Sequence, residues 1–338
     1  MSPSIDTLLR RVRRISQDPE RLVDYLRLPR KLVRGTPLMN RLGLQAARAL
    51  KEQVSWRLRP NEVPAHLRDH HEALDRDGFA VIEDFLPAAA FAELEAELST
   101  AEAAPDRHQR LYFGENYESR LFMISKHAEE FPAFARHLRD NATIYDLARC
   151  VARRRATYRP RVMVQWVYKP KPNEPCVDHE YNSYLHVDRH YPFLKAFFYL
   201  RDVPVGCAPY SFVRGSHAFN WARLRFEYQL GVAQSAARGD RRDTNPEQKE
   251  RDRAMERLAR ELCDKLGLEE MPIAAKKNTL IVSNNQGLHR RGEMTIAGER
   301  VTANLDYKFF ESPAQILFPV LRHIDPQARG SLPPKNGA

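Results

Sequence analysis

A short segment, LHVDRH at residues 185–190, holds the clearest candidates for chemistry. In an extended strand, residues two apart point to the same side, so His186 and Asp188 face one point in space. An imidazole nitrogen and a carboxylate oxygen at this spacing are able to bind one metal ion from adjacent positions. A third ligand from a distant strand, for which His289 is the candidate, completes a set of two histidines and one carboxylate. Such a set is typical of non-haem iron(II) and leaves three positions open for a bidentate 2-oxo acid and dioxygen.

A second group of candidates lies in the segment 278–309, NTLIVSNNQGLHRRGEMTIAGERVTANLDYKF. This segment reads as a strand, then His289, a turn and another strand. Arg300 opens the later strand, eleven residues after His289. A guanidinium group offers two parallel hydrogen bonds to a carboxylate, which suits the far carboxylate of 2-oxoglutarate. Arg300 is therefore the candidate for binding this co-substrate, the alternative being an ordinary strand arginine.

Each of these residues also has a plainer interpretation. His186 and Asp188 could form a surface pair beside a turn, because an isolated His-x-Asp triplet occurs by chance in many proteins. His217, in RGSH at 214–217, competes with His289 for the place of the third ligand. The alternatives to an oxygenase are a metal-binding jelly-roll sensor or binding module, and a cupin-type isomerase or hydrolase with another metal. Cupins usually place more histidines close together, which favours the oxygenase.

The elements that must position these residues are mostly short strands. Five segments between residues 162 and 309 are rich in β-branched and aromatic residues, and turn residues separate them. They are VMVQWVY (162–168), KAFFYL (195–200), PYSFV (209–213), NTLIVSN (278–284) and RVTANLDYKF (300–309). This pattern, with no helix between most of the segments, predicts a mainly β protein with flanking helices, folded as a sandwich or jelly roll.

Helical patterns surround and interrupt the strands. A helix is predicted after the short strand in DGFAVIEDFLP (77–87), and another around 140–153. Residues 220–270 are helical in pattern and dense in Arg and Glu, which indicates a helical insertion. Within it, the almost wholly polar stretch 237–253 is predicted to be a mobile loop that leads into a helix around 251–266.

The sequence predicts one large domain with two extensions. Residues 1–60 form a basic helical arm, residues 61–320 the jelly-roll domain with its insertion, and residues 321–338 a C-terminal tail. The net charge of +10 belongs mainly to the arm, which holds 14 Lys/Arg against 5 Asp/Glu. The other 278 residues hold 40 against 39.

The arm suggests a partner. Its apolar residues between positions 5 and 15 follow one helical face, and arginines cover most of the rest. Such a helix suits peripheral contact of residues 1–50 with an anionic membrane, the alternative being a helix that docks on its own domain. No nucleic acid is expected as a partner, because no recognisable DNA- or RNA-binding module carries the charge.

The expected cellular compartment follows from two kinds of apolar segment that the sequence lacks. There is no apolar stretch suited to a signal peptide and no run of about 18 apolar residues, so a cytoplasmic protein is expected, with the arm reaching the inner face of a membrane. The four cysteines lie far apart and indicate neither a zinc ribbon nor a disulfide framework.

Together these motifs resemble the phytanoyl-CoA dioxygenase family over about residues 70–310. The resemblance rests on DGFAVIEDFLP as the opening strand, on His-x-Asp at 186–188, on RGSH, and on His289 followed by Arg300. It implies a double-stranded β-helix, which is a cupin-like jelly-roll barrel. It also implies that the two histidines and the aspartate bind Fe(II), and that the arginine binds 2-oxoglutarate as co-substrate.

The resemblance points to supporting residues as well. Gln165 and Tyr168 lie on VMVQWVY and Tyr199 on KAFFYL; one or two of them are expected to face the barrel and contact 2-oxoglutarate, the alternative for each being core packing. Lys126, in MISKH before the barrel, is a candidate second cation for the co-substrate. Halogenases of this type lack the carboxylate ligand, so Asp188 favours hydroxylation or a related oxidation such as desaturation.

The sequence therefore predicts an Fe(II)- and 2-oxoglutarate-dependent dioxygenase that uses dioxygen to hydroxylate an unactivated C–H bond. The substrate is expected to be a small molecule, an acyl compound, or a sugar or lipid-linked compound. No motif in the sequence identifies it further.

Overall fold

The computed structural model describes residues 37–114, 117–153, 160–169, 171, 181–236 and 246–307. In this part of the chain, two antiparallel sheets lie against each other and helices cover the larger sheet. The strands are β1 (Phe79–Ile82), β2 (Gln109–Gly114), β3 (Tyr117–Phe122), β4 (Arg161–Lys169), β5 (Leu194–Tyr199), β6 (Tyr210–Val213), β7 (Glu270–Ile273), β8 (Thr279–Asn284), β9 (His289–Arg291) and β10 (Gly298–Asp306). The α-helices are α1 (Pro37–Arg41), α2 (Leu44–Arg57), α3 (Arg68–Asp77), α4 (Ala88–Glu102), α5 (Pro132–Phe134), α6 (Ala142–Ala152), α7 (Trp221–Ala236) and α8 (Pro246–Leu266).

The connections between the sheets define the fold. The large sheet has the order β1-β8-β5-β10-β4-β3-β2, and the small sheet has the order β7-β6-β9. A backbone bridge between His186 and His289 extends the small sheet beyond β9. From β4 onward the chain passes from one sheet to the other at almost every connection. This alternation is a jelly roll, and it confirms the predicted fold of mainly β structure with flanking helices.

Strands of the large sheet are buried on both faces. On the outer face, Val164, Phe198 and Ala303 pack into one apolar cluster with residues of α4 and α6. On the inner face, Phe197 packs with Tyr210 of the small sheet, their ring centroids 4.2 Å apart. Burial on both faces explains why these strands are nearly continuous apolar runs and not alternating patterns.

The helical insertion packs against the segment that carries the first two candidate ligands. Helices α7 and α8 pack on each other, and α7 also packs on α1 and α2. Leu185 and Val187 belong to the apolar cluster that these helices form. Because alternate residues of an extended segment point to opposite sides, His186 and Asp188 turn away from the helices and into the space between the sheets.

The structure differs from the predicted elements in two places. The predicted strands do not include β2, β3, β7 and β9; of these, β7 and β9 are only four and three residues long, which is too short for a clear apolar pattern. The polar segment predicted as a loop over 237–253 is helical from Pro246 onward. Proline is favoured at the first helical position, and the Glu, Gln, Lys and Arg that follow are good helix formers. Residues 237–245 lie outside the described residues.

The N-terminal arm is helical in its described part. Pro37 is the first residue of α1, where its missing N–H costs no helical hydrogen bond. The predicted amphipathic helix between residues 5 and 15 and the predicted tail 321–338 lie outside the described residues. Among the described helices, none is both long enough and apolar enough to span a membrane.

Candidate metal and co-substrate site

The three predicted metal ligands come together between the sheets. The backbones of His186 and His289 exchange two hydrogen bonds, of 3.0 and 2.9 Å, and their ring centroids are 4.4 Å apart. Oδ1 of Asp188 lies 3.9 Å from Nε2 of His186, and its Oδ2 lies 3.3 Å from Nε2 of His289. One ligand atom from each residue lies within 4.8 Å of the other two. Small side-chain movements would therefore bring all three ligand atoms within reach of one metal ion.

Backbone carbonyls set the tautomer of both imidazoles. Nδ1 of His186 lies 2.7 Å from the carbonyl oxygen of Tyr184, and Nδ1 of His289 lies 3.0 Å from that of Gly287. Because a carbonyl oxygen only accepts, Nδ1 donates in each case, and Nε2 keeps the lone pair that a metal requires. Burial, followed by the proximity of His289, lowers the pKa of His186 to about 3, so the His186 ring is neutral at physiological pH.

Asp188 supplies the negative charge of the site. Lys195, on β5, places Nζ 2.6 Å from Oδ2 of Asp188. Burial alone raises the pKa of Asp188, but Lys195 and the two imidazoles outweigh this effect and hold the pKa well below its usual value. The carboxylate is therefore ionised throughout the physiological range, which is the form that binds a metal.

Asn285 is a site residue that no sequence motif indicates. Its Nδ2 lies 3.0 Å from both Oδ2 of Asp188 and Nε2 of His289. Its Oδ1 accepts hydrogen bonds from the hydroxyls of Ser283 (2.6 Å) and Tyr210 (3.3 Å). Nε2 of His289 has a single lone pair, so Asn285 and a metal ion compete for it. The only signal for Asn285 in the sequence is its place directly after a buried strand.

Lys195 is likewise missing from the predicted site. It is the one charged residue of the apolar run KAFFYL, at the start of a strand whose two faces are both buried. A lysine is almost never buried without a partner. That rule indicates that Lys195 faces an anion, but only the structure identifies the anion as Asp188.

The inner face of β10 carries a row of polar side chains. Arg300, Thr302 and Asn304 alternate along it, and Thr302 lies opposite both Gln165 of β4 and Tyr199 of β5, so these five share one face. Nδ2 of Asn304 donates a hydrogen bond of 3.3 Å to Oε1 of Gln165. Within the described part of the chain, Oγ1 of Thr302 and Oδ1 of Asn304 are buried and have no hydrogen-bond partner.

This row fits a small dicarboxylate such as 2-oxoglutarate. Leaving a buried polar atom without a partner costs about 1–3 kcal/mol, so a molecule bound beside Thr302 would stabilise its hydroxyl, whereas Oδ1 of Asn304 only accepts and requires a donor such as water. The hydroxyl of Thr302 is able to donate to a carboxylate. Arg300 is buried close to Tyr199 and Cys207, where its charge opposes the rise in pKa that burial causes in both. The residues present therefore fit both iron and the co-substrate.

The structure does not bring every candidate residue to this site. Tyr168 is 47% exposed on the outer face of the large sheet, because residues three apart in a strand, such as Gln165 and Tyr168, point to opposite faces. Lys126 is exposed at the end of a 3-10 turn, and no described contact links it to the metal ligands. His217 donates from Nε2 to the carbonyl oxygen of Asp75 at 3.1 Å and is not part of the metal-binding group.

Tyr199 faces the interior, but its hydroxyl connects the two sheets. The hydroxyl donates to the carbonyl oxygen of Ile273 at 2.9 Å and accepts from the backbone N–H of Tyr210 at 3.0 Å. Both partners belong to the small sheet. The contacts of Tyr199 therefore favour a structural role over contact with the co-substrate.

We expect Tyr199→Phe to lower the free energy of unfolding by about 1–3 kcal/mol, because two buried backbone groups lose their partner. The Kd of 2-oxoglutarate should not change. Urea denaturation followed by tryptophan fluorescence measures the stability, and calorimetric titration measures the Kd. An unchanged stability together with a large rise in the Kd would instead assign the hydroxyl to the co-substrate.

The fold and the site define a class of protein: a jelly roll in which two histidines and one carboxylate lie close enough to hold one metal ion, a set typical of non-haem iron(II) oxygenases. The sequence matches the family model described as phytanoyl-CoA dioxygenase (PhyH) over residues 74–259, more than half of the 338 residues. The chain belongs to the phytanoyl-CoA dioxygenase family of iron- and 2-oxoglutarate-dependent oxygenases. The matched region contains His186 and Asp188 and ends before His289 and Arg300.

Similar solved structures were found at low sequence identity. AviO1 from Streptomyces viridochromogenes Tue57 is 14% identical, with 75% of this chain and 99% of that chain covered and a TM-score of 0.47. EctD from S. alaskensis with bound Fe is 19% identical, with 75% and 84% covered and a TM-score of 0.45. HygX from Streptomyces hygroscopicus, with nickel and 2-oxoglutarate bound, is 17% identical, with 72% and 87% covered and a TM-score of 0.39. Among curated protein sequences, none matches the chain significantly.

Proposed function

We propose that this protein is an Fe(II)- and 2-oxoglutarate-dependent oxygenase that hydroxylates an unactivated C–H bond. One observation carries the proposal: the ligand atoms of His186, Asp188 and His289 lie within 4.8 Å of one another in the interior of the jelly roll. The buried polar row of β10, with Arg300, lies on the inner face of the opposite sheet and supports the choice of co-substrate.

The three candidate ligands and Arg300 have separate roles in the proposed reaction. His186 and His289 provide nitrogen donors whose orientation is held by their Nδ1 hydrogen bonds, and Asp188 provides the anionic oxygen. Arg300 pairs with the C5 carboxylate of 2-oxoglutarate. Iron(II) and the co-substrate, when bound, supply the activation of dioxygen and the oxidation of the C–H bond, with loss of carbon dioxide and formation of succinate.

Hydroxylation is the preferred reaction because Asp188 is present. The carboxylate of Asp188, once bound to a metal, would take the position that a halide needs, so hydroxylation or a related oxidation such as desaturation is favoured over halogenation. The substrate that we propose is a small molecule, an acyl compound, or a sugar or lipid-linked compound.

The proposed activity is tested by succinate formation. Purified protein with Fe(II), 2-oxoglutarate and dioxygen is incubated with candidate substrates of each class, and succinate and oxidised product are measured together. The expected result is substrate-dependent succinate in a one-to-one ratio with product. Stoichiometric metal binding without any succinate, over a broad substrate set, would favour the alternative of a metal-binding sensor.

We also propose peripheral contact of residues 1–50 with an anionic membrane, which would suit a lipid-linked substrate. Helix α2, which continues the arm, supports this proposal because apolar side chains lie on its exposed face and polar side chains are buried. Leu50, Val54 and Leu58 are exposed at helical spacing, whereas Glu52 and Gln53 are buried. Residues 37–59 hold five Lys/Arg and one Asp/Glu, so charge and apolar surface occur together, as they do in helices that lie on anionic bilayers.

The membrane proposal predicts a specific loss of binding. The double variant Leu50→Asp/Val54→Asp should lower partitioning onto anionic vesicles by more than about tenfold, because each change removes an apolar side chain worth about 1.5–3 kcal/mol on burial. Sedimentation with phosphatidylglycerol vesicles at low and moderate salt measures the effect, and the binding should weaken with salt. Val205→Asp, at an exposed apolar residue far along the chain, is the control. Equal sedimentation of wild type and both variants would contradict the proposal.

A further inference from the structure

A fully buried arginine connects the helical insertion to the turn that precedes the metal ligand His289. Arg223 on α7 has no exposed surface. Its Nη2 donates to the carbonyl oxygen of Gln286 at 2.7 Å, and its Nη1 donates to that of Ser216 at 2.9 Å. Its Nε and Nη2 both donate to Oε1 of Glu227, one helical turn further along α7, at 3.2 and 2.9 Å.

A residue of the N-terminal arm also binds the carboxylate of this ion pair. Oε2 of Glu227, also buried, accepts a hydrogen bond of 3.1 Å from Nε2 of Gln45 on α2. Both carboxylate oxygens of Glu227 are therefore engaged, one by the insertion and one by the arm. The pair Arg223–Glu227 lies where α2, α7 and the turn between β8 and β9 meet.

That turn has little room to move. A Cβ added at Gly287 would lie 2.3 Å from Cζ of Phe212 and 3.0 Å from Oγ of Ser216. The backbone N–H of Leu288 donates to the same Oγ at 2.8 Å. Gln286 reaches the other ligand segment, since its Nε2 donates to the carbonyl oxygen of His190 at 3.1 Å. The turn is thus in close contact with Phe212 and Ser216, and Arg223 holds its Gln286 carbonyl.

The position of the Gln286–Gly287 turn determines how His289 and Asp188 are oriented. The carbonyl oxygen of Gly287 accepts the Nδ1–H of His289 and so determines which nitrogen of that ring faces the metal. Asn285, at the start of the turn, contacts Asp188 and His289 directly. A shift of the Gln286 carbonyl would therefore change the orientation of His289 and the surroundings of Asp188 together.

We propose that Arg223 is a positioning residue for the metal centre, so that the insertion and the arm set the geometry of His289 through the Gln286–Gly287 turn. This inference rests on the proposed metal site. Residues that hold a metal-binding histidine in place typically contribute 10–100-fold to metal affinity. We expect the loss of Arg223 to lower metal affinity by a factor of similar size. Glu227 holds the guanidinium group of Arg223 in its orientation, and Gln45 in turn holds the carboxylate of Glu227.

A simple loss of stability must be separated from a loss of positioning. Removing one member of a buried ion pair leaves the other charge without compensation, so Arg223→Met alone is expected to be unstable. The double variant Arg223→Met/Glu227→Leu removes both charges and keeps apolar volume, which is often tolerated. It still lacks the donor to the Gln286 carbonyl. Arg223→Lys keeps a cation that is able to reach one carbonyl, and Arg225→Met, at an exposed position of α7, is the matched control.

The experiment titrates the full-length proteins with Mn(II) by calorimetry and records the visible spectrum of the Co(II)-loaded forms, whose bands report coordination geometry. Thermal unfolding of each protein is measured alongside. We expect the Kd for Mn(II) to rise by about 10–100-fold in the double variant and by less in Arg223→Lys, with an altered Co(II) spectrum in both. Arg225→Met should match the wild type.

Two results would overturn the proposal, and they are distinguishable. A folded double variant, or a folded Arg223→Lys protein, with wild-type Mn(II) affinity and an unchanged Co(II) spectrum would make Arg223 a purely structural residue. A wild-type protein that binds Mn(II) no better than His289→Ala would refute the metal centre itself, and the positioning role with it.

Discussion

Replacing His186 or Asp188 by alanine is expected to lower the affinity for Fe(II) by more than about 100-fold and to abolish turnover, because residues that only support a ligand already contribute 10–100-fold. The Asp188→Ala effect has a second cause. Lys195 lies 2.6 Å from Oδ2 of Asp188, so removing the carboxylate leaves a half-buried, unpaired ammonium group that repels an incoming cation. Anaerobic titration with Fe(II) and the rate of succinate formation measure the two losses.

His217 provides the control for this experiment. It is the histidine that competes with His289 as third ligand in the sequence, but its ring donates to the carbonyl oxygen of Asp75. His217→Asn should bind iron as the wild type does, whereas His289→Ala should not. Unchanged iron affinity in both His186→Ala and Asp188→Ala, or loss of iron in His217→Asn, would require a different ligand set.

Replacing Arg300 by alanine should weaken binding of 2-oxoglutarate by about 30-fold to several thousand-fold, since truncating one partner of a buried charge pair costs about 2–5 kcal/mol. The affinity for iron should change little, because Arg300 is not among the metal ligands. Calorimetric titration of the Mn(II)-loaded protein with 2-oxoglutarate gives the Kd directly, and the concentration dependence of succinate formation gives an independent value.

Lys126 is the natural control for Arg300, being the other cation that the family resemblance suggests. It is exposed in the structure, so Lys126→Ala should leave the Kd of 2-oxoglutarate unchanged. If Arg300→Ala binds 2-oxoglutarate normally and Lys126→Ala does not, Lys126 and not Arg300 holds the far carboxylate.

The periodicity of the sequence by itself determines where the main strands lie and which of their side chains share a face. The two-residue spacing of His186 and Asp188 requires their side chains to share a side wherever the segment is extended. The apolar runs from residue 162 onward locate β4, β5, β6, β8 and β10 to within one to three residues. The same periodicity, applied to Gln165 and Tyr168, shows that both cannot face the barrel, and the structure places Tyr168 outside. Local pattern is sufficient for these features because each depends only on residues that are close in the chain.

Only the tertiary structure decided which distant residues meet. His186 and His289 are neighbours because the small sheet pairs two segments far apart in sequence, and such pairing leaves no trace in either segment alone. Lys195 and Asn285 reach Asp188 for the same reason. A charged or amide side chain in a buried strand indicates that it has a partner but does not identify it. The identity of the partner depends on strand register and packing across the whole domain, and these are set by the combined burial of many side chains.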